Sequence, residues 1–311
     1  MRNIIIDCDP GHDDAIAILM ALAHREELNI LGLTTVGGNQ LLEKVTKNAL
    51  KILSLADADI PVASGEAKAL TRALHTGADA HGESGMDGPV LPEPKYSIAS
   101  SNAVQFIYEK IKGSEQKVTI AALGPLTNIA LLLRAYPEIK SKIEAVCLMG
   151  GGIHTGNRTA AAEFNIYVDP EAAKIVFNSG VDIVMAGLDV TNKAMIMDDE
   201  RELLKGKGKI SDFVAQLLDF YSIAGKRFGF EGSSLHDPCA IGYLLRPELF
   251  RGRKYHVDVE TQGELTRGMT LADERPVPEN EANALVLLEV KRKEFIDFVC
   301  SCISKLDAEC R

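Results

Sequence analysis

The run Asp7-Cys8-Asp9-Pro10-Gly11-His12-Asp13-Asp14 places four carboxylates within eight residues. Two carboxylates about 4 Å apart repel by roughly 4 kcal/mol at an effective dielectric near 20, so such a cluster needs solvent, protons or a cation. With no cysteine cluster and no HxxxH pair beside them, oxygen donors point to a hard ion, Ca²⁺ or Mg²⁺. An Asp-Pro-Gly turn with Asp13 as helix N-cap would explain one or two of these acids, not four.

Three further polar clusters stand out. Leu123-Gly124-Pro125-Leu126-Thr127-Asn128 is a turn with a carbonyl free to meet a hard cation. Met149-Gly150-Gly151-Gly152 runs through Asn157 to Glu163-Phe164-Asn165, joining glycines that permit close backbone approach to side chains suited to hydroxyl groups. It is not a dinucleotide fingerprint, because Gly150-x-Gly152-x-x-Thr155 lacks the third glycine and runs into polar loop rather than a helix. His236-Asp237-Pro238 by itself reads as an ordinary helix start, Asp237 the cap and Pro238 at the first helical position. It becomes a site candidate only beside the other three.

The elements that must bring these clusters together alternate. Ile4 to Cys8 reads as a buried strand and Asp13 to Ala23 as a helix; Ile30 to Val36 as strand and Leu41 to Leu55 as helix. Ala103 to Ile111 reads as helix, Val118 to Leu123 as strand, Leu126 to Leu133 as helix and Ile143 to Met149 as strand. Pro170 to Phe177 follows as a helix capped by Asp169, then Ile183 to Ala186 as strand. This rhythm implies an α/β protein with mostly parallel pairing. Ligands of such sheets sit outside the carboxyl ends of the strands, where clusters following a strand fall. Beyond it, 198–245 reads as mostly helical, followed by strand-like runs near 254–260, 268–272 and 284–290 and a helix near 293–305. Residues 66–97 carry four glycines and three prolines and read as a long active-site loop. Lys205-Gly206-Lys207-Gly208-Lys209 reads as a solvated turn.

A chain of 311 residues with 46% apolar content buries a large core, and we expect one domain over 1–311. Its net charge of −10 repels phosphate backbones and anionic lipid, which argues against nucleic-acid and membrane partners. No apolar run reaches the roughly 20 residues of a membrane span, and acids interrupt the N-terminus too early for a signal peptide. A cytoplasmic location is the expectation. Of the six cysteines, Cys8 and Cys147 lie in apolar strands as small buried hydrophobes, and none forms a CxxC zinc half-site.

The first motif, with Val36-Gly37-Gly38-Asn39, His81-Gly82-Glu83-Ser84-Gly85 and Leu148-Met149-Gly150-Gly151-Gly152, resembles the inosine-uridine-preferring nucleoside hydrolase family. Ala162-Glu163-Phe164-Asn165, Asp169-Pro170-Glu171-Ala172-Ala173 and His236-Asp237-Pro238-Cys239-Ala240 extend the resemblance over nearly the whole chain. It implies a single domain with a Rossmann-like core, the nucleoside hydrolase fold, and homodimers or homotetramers. It implies hydrolysis of the bond between ribose and nucleobase, with Ca²⁺ held by Asp9, Asp14, the Leu123 carbonyl and Asp237. Carried over by position, Asp13 and Asn165 would hold the 2′- and 3′-hydroxyls, Asn157 and Glu163 the 5′-hydroxyl, and Met149 would pack against the sugar. Asn39 would stand between sugar and metal. Asp9 would deprotonate a Ca²⁺-bound water, His236 would protonate the leaving base, and His81 would belong to a loop closing over it.

A related branch of the family grips purines between tryptophans, and this chain has none. Base contacts would then fall to Phe164, Phe220, Tyr221, Phe228 and Phe230. The base-facing helix from about 212 to 230 differs from better-known members in sequence and by one residue in length, which leaves base preference open. A Mg²⁺ phosphohydrolase with an Asp-x-Asp nucleophile would need Thr or Val where Gly11 stands. A binding protein without chemistry would be expected to have a broken acid set, and Asp9, Asp14, Asp237 and His236 are intact.

Overall fold

Ile4, Ile6 and Cys8 of the first strand enter one apolar core and Ile5 enters another. Side chains alternate across a strand, so this sheet is covered on both faces. The computed structural model describes residues 1–227 and 229–310. The main strands are β1 (Arg2–Cys8), β2 (Leu28–Thr35), β3 (Val62–Ser64) and β4 (Val118–Ala122). They continue as β5 (Ile143–Met149), β6 (Ile183–Ala186), β7 (Phe250–Tyr255) and β8 (Ala284–Val290). Their order is β3-β2-β1-β4-β5-β6-β8-β7. Every neighbouring pair is parallel except the edge pair β8 and β7.

Helices His12–Ala23, Leu42–Leu55, Lys209–Arg227, His236–Leu245 and Arg292–Glu309 contribute to the core on one face. Helices Ala103–Gly113, Thr127–Ala135 and Pro170–Phe177 pack on the other. Asp169 caps the last of these through the Ala172 N–H at 3.0 Å, as its sequence predicts. The Asp307 carboxylate near the chain's end accepts the Ile210 N–H at 2.7 Å and the Ser211 N–H at 3.1 Å. It thereby fastens the start of Lys209–Arg227 to the C-terminal helix.

The chain reverses direction across the sheet at β1, which lies between β2 and β4. That reversal opens a crevice at the carboxyl ends of β1 and β4.

Several elements differ from the sequence expectation. The stretch 198–245 is mostly helical as expected, in three helices interrupted where Ser233–Ser234 pairs with Met195–Ile196. The strand expected near 254–260 is two: β7 starts earlier, at Phe250, and Val257–Val259 pairs with Thr270–Ala272 outside the main sheet. Exposed Arg251 and Arg253 hide the apolar pattern of β7, as charges on an edge strand do. The long loop carries one short helix, Ala78–His81.

Candidate active site

Helix His12–Ala23 starts directly after β1 with Gly11 as its N-cap residue. Asp14 folds back over this turn, its Oδ1 accepting the Asp9 N–H at 3.1 Å and its Oδ2 the Gly11 N–H at 3.0 Å. Tying down the helix start therefore falls to Asp14 and not to Asp13. Asn39, just past β2, donates its main-chain N–H to Asp9 Oδ2 at 2.7 Å and its Nδ2 to Asp14 Oδ2 at 3.1 Å. Leu235, not Asp237, is the N-cap of His236–Leu245. Asp237 consequently lies inside the first turn, and its carboxylate meets those of Asp13 and Asp14, with ligand atoms within 4.8 Å of one another.

Three ionised carboxylates at that spacing would repel by roughly 3–4 kcal/mol per pair at an effective dielectric near 20. Burial pushes Asp14 up to about 7, with the charge of Asp13 adding to the effect. Asp237 is held well above the carboxylate range by burial and then by Asp13, Asp14 and Asp9. Asp9 is raised by burial and by Asp14, and its Oδ1 is buried without a partner among the described residues. Loops after β2 and β4 close on it: a Cβ at Gly38 would collide with its carboxylate, and one at Gly124 would lie 2.5 Å from Oδ1.

An all-oxygen set with one orphaned carboxylate oxygen fits a hard divalent cation. The tight trio is Asp13, Asp14 and Asp237, with Asp9 beside it, whereas the sequence expectation had Asp9 among the ligands and Asp13 on the sugar. The Leu123 carbonyl accepts Asn165 Nδ2 at 2.8 Å, which leaves it a second lone pair. Asp7 stands apart, its Oδ1 bound by Thr34 and by Asn128 Nδ2 at 2.8 Å.

Above the acids opens a cavity of about 370 Å³. Asp13, Asn39, Leu123, Met149 and Asn165 line it, as do Asn157, Glu163 and Phe164. His81, His236 and Asp237 complete the set expected from sequence, while Asp9 and Asp14 lie beneath the surface. Glu163 caps helix Phe164–Val168, accepting the Asn165 N–H at 2.9 Å and the Ile166 N–H at 3.1 Å, and Gly151 N–H at 2.9 Å besides. Burial raises its carboxyl to about 7. Asn157 Oδ1 is likewise engaged, by the Phe164 N–H at 2.9 Å.

Of the expected aromatic residues, Phe164, Tyr221 and Phe230 line the cavity. Phe220 stacks behind on His12, and Phe228 lies outside the described residues. His236 Nδ1 is 2.8 Å from Thr191 Oγ1; burial lowers its pKa, and the charge of Asp13 opposes that. Burial drives His81 well below the usual histidine range, with His12 adding to the effect. Sequence reasoning assigned no role to His12, Arg158 or Asp79. Arg158 Nη1 reaches Asp79 Oδ2 at 3.2 Å across the rim, and both residues line the cavity.

A floor of carboxylates suited to a hard cation lies under a crevice walled by histidine and aromatic rings, an arrangement that can hold a ligand with a polar end and a flat end. The model for the inosine-uridine preferring nucleoside hydrolases matches residues 4–297, and the chain belongs to that family of nucleoside N-ribohydrolases. It is 51% identical over 302 residues to a pyrimidine-specific ribonucleoside hydrolase of Shewanella sp. (strain MR-7), covering 96% of this chain and 95% of that one. An Escherichia coli protein, also described as a pyrimidine-specific ribonucleoside hydrolase, is 50% identical over 300 residues, covering 95% and 96%. Among solved structures, a purine-preferring ribonucleoside hydrolase from Gardnerella vaginalis superposes with a TM-score of 0.92 at 32% identity, covering 98% and 99%. The family and fold expected from the motifs are thus borne out.

Proposed function

We propose that this enzyme hydrolyses the N-glycosidic bond of ribonucleosides, with pyrimidine nucleosides preferred, and that residues 1–311 act as one catalytic domain. The observation that carries the reading is the convergence of Asp13, Asp14 and Asp237 from distant stretches of chain beneath a cavity that also holds His236. The pyrimidine preference is supported by the relatives at about half identity that bear that description.

Bond cleavage builds positive charge on the ribose and negative charge on the departing base. A bound hard cation, which we take to be Ca²⁺, would supply charge neutralisation among the acids, attraction for hydroxyl oxygens and acidification of water. Asp9, Asp14 and Asp237 with the Leu123 carbonyl are its proposed holders, and Asp13 now joins them by position. Asn39 pins Asp9 through Oδ2, leaving Oδ1 as the oxygen that takes the proton of the attacking water. Asp13 and Asn165 orient the diol, Asn157 and Glu163 face the 5′ end, and Met149 packs on the sugar. The surrounding carboxylates favour the developing sugar cation. His236 delivers a proton to the base, while His81, Phe164 and Tyr221 enclose it.

The reading carries a cytoplasmic, homodimeric or homotetrameric enzyme. Among the described residues no helix is long and apolar enough to cross a membrane. Free ribose released from uridine, cytidine, inosine and adenosine tests the proposal. Higher kcat/KM on the first two is expected; sugar released from none of them would end it.

A further inference from the structure

Asn39, Asn157, Asn165 and Asn192 all line the cavity, and the first three have amides committed within the protein. Asn39 Nδ2 donates to Asp14 Oδ2 at 3.1 Å, Asn157 Oδ1 accepts the Phe164 N–H at 2.9 Å, and Asn165 Nδ2 donates to the Leu123 carbonyl at 2.8 Å. The carboxamide of Asn192 makes no hydrogen bond among the described residues, and the residue is half-buried. An amide in a partly dry wall that bonds to nothing in the protein is left for water or a ligand.

Its place in the fold puts Asn192 at the end of the cavity where His236 stands. Thr191, the residue before it, has its Oγ1 2.8 Å from His236 Nδ1. From there the chain runs beside the segment that leads into His236. The Leu235 N–H donates to the Ala194 carbonyl at 3.0 Å, and Met195 and Ile196 pair antiparallel with Ser234 and Ser233. Both serines line the cavity. Ser234 Oγ is buried without a partner among the described residues, and Ser233 Oγ makes no hydrogen bond among them either. The acids of the floor, when ionised, only accept, whereas these three uncharged side chains can each donate and accept.

Uracil and cytosine differ along the edge that carries N3 and the substituent on C4. Uracil offers a donor at N3 and an acceptor oxygen beside it; cytosine offers an acceptor at N3 and a donor amine. A charged side chain matches one half of either pattern and opposes the other. A carboxamide matches both, because a half-turn about its last bond exchanges oxygen for nitrogen, and a hydroxyl adapts by rotating its hydrogen. We infer that Asn192 is a specificity-determining residue whose carboxamide pairs with the N3 edge of the pyrimidine in either polarity, with Ser233 and Ser234 completing an uncharged polar wall. The inference deepens the nucleoside reading and rests on it.

Initial rates on uridine, cytidine and N3-methyluridine, for the protein supplied with Ca²⁺ and for Asn192→Leu, test it. N3-methyluridine keeps the sugar and the oxygen on C4 but has no N–H at N3. The unaltered protein should prefer uridine to it by about tenfold or more in kcat/KM, the scale of one or two lost hydrogen bonds. Leucine resembles asparagine in shape but has no polar atom. Asn192→Leu should lower kcat/KM about tenfold on uridine and on cytidine and leave N3-methyluridine within about threefold. The inhibition constant of a ribose analogue lacking a base should stay within about twofold, because the sugar contacts remain.

Equal losses on uridine and N3-methyluridine in Asn192→Leu would make the residue structural and overturn the inference. Unchanged rates on uridine and cytidine, or a loss on one of them alone, would overturn it too. Should Asn192→Leu not fold, Asn192→Ala takes its place; equal rates of the unaltered protein on uridine and N3-methyluridine overturn the inference without any variant. Sugar released from no nucleoside at all would instead sink the nucleoside reading, and this inference with it.

Discussion

Asp9 presents two unlike oxygens, one held by the Asn39 N–H at 2.7 Å and one buried with no partner among the described residues. If the second oxygen is the base, Asp9→Asn should reduce kcat far more than it raises KM for uridine, since an oxygen stays near the cation. Equal losses in both would make Asp9 a ligand only. His236→Ala should lower kcat by roughly 10² to 10⁴, the range typical of general acid catalysis, with ribose binding little changed. Unaltered turnover would remove His236 from the role. The acids, His236 and the other polar side chains lining the cavity were legible because they fall in short contiguous motifs. The meeting of His12 with His81 was not, because 69 residues separate them and only the fold makes them neighbours. The caps misled for a related reason. Asp13 and Asp237 are residue types that cap helices, but here Asp14 and the turn at Leu235 start them, which frees both acids for the site.

The elements that hold the site are strand ends and the glycines beside them. A methyl group at position 38 has no room beside the Asp9 carboxylate. Gly38→Ala should therefore cost activity on every nucleoside alike, with a loss of roughly 1–3 kcal/mol in stability as the overpacked loop shifts. Thermal unfolding and a base-by-base comparison check it; a change confined to one base would place Gly38 elsewhere. Strands β1, β4 and β5 could be read from their apolar runs because both faces are buried. β7 could not, since its exposed arginines mask it, and β3, of three residues, is too short to show a period. The helix Lys209–Arg227 was placed, but not its seating on Asp307, a contact across 96 and 97 residues of chain.

Across the whole molecule, buried acids tie stability to pH and to the cation. Asp14 rises from 3.8 and Glu163 from 4.5, each to about 7. The metal-free folded state therefore keeps protons that the unfolded chain releases. Their stabilising effect is full below the ordinary carboxylate range and is lost as pH climbs through the window from 3.8 to about 7. Tm of the chelated protein should fall across that window. Added Ca²⁺ should restore it most at the upper end, by about 2.7 kcal/mol at a hundredfold excess over Kd. A Tm indifferent to both pH and calcium would mean that the acids do not share an ion. Length and the β-α rhythm foretold the architecture, because these properties add along the chain. The strength of coupling among the acids depends on burial, which no local pattern records.

The acids of the floor come from distant parts of the polypeptide, Asp13 and Asp14 from its first turn and Asp237 from far beyond them, and β8, which joins β6 to β7, comes later still. A ribosome making this protein releases Asp13 and Asp14 long before Asp237 exists, and until then the growing chain has no complete cage. Assembly of this acid floor thus waits for Asp237 to be made, and a product terminated before it is left with acids that nothing gathers.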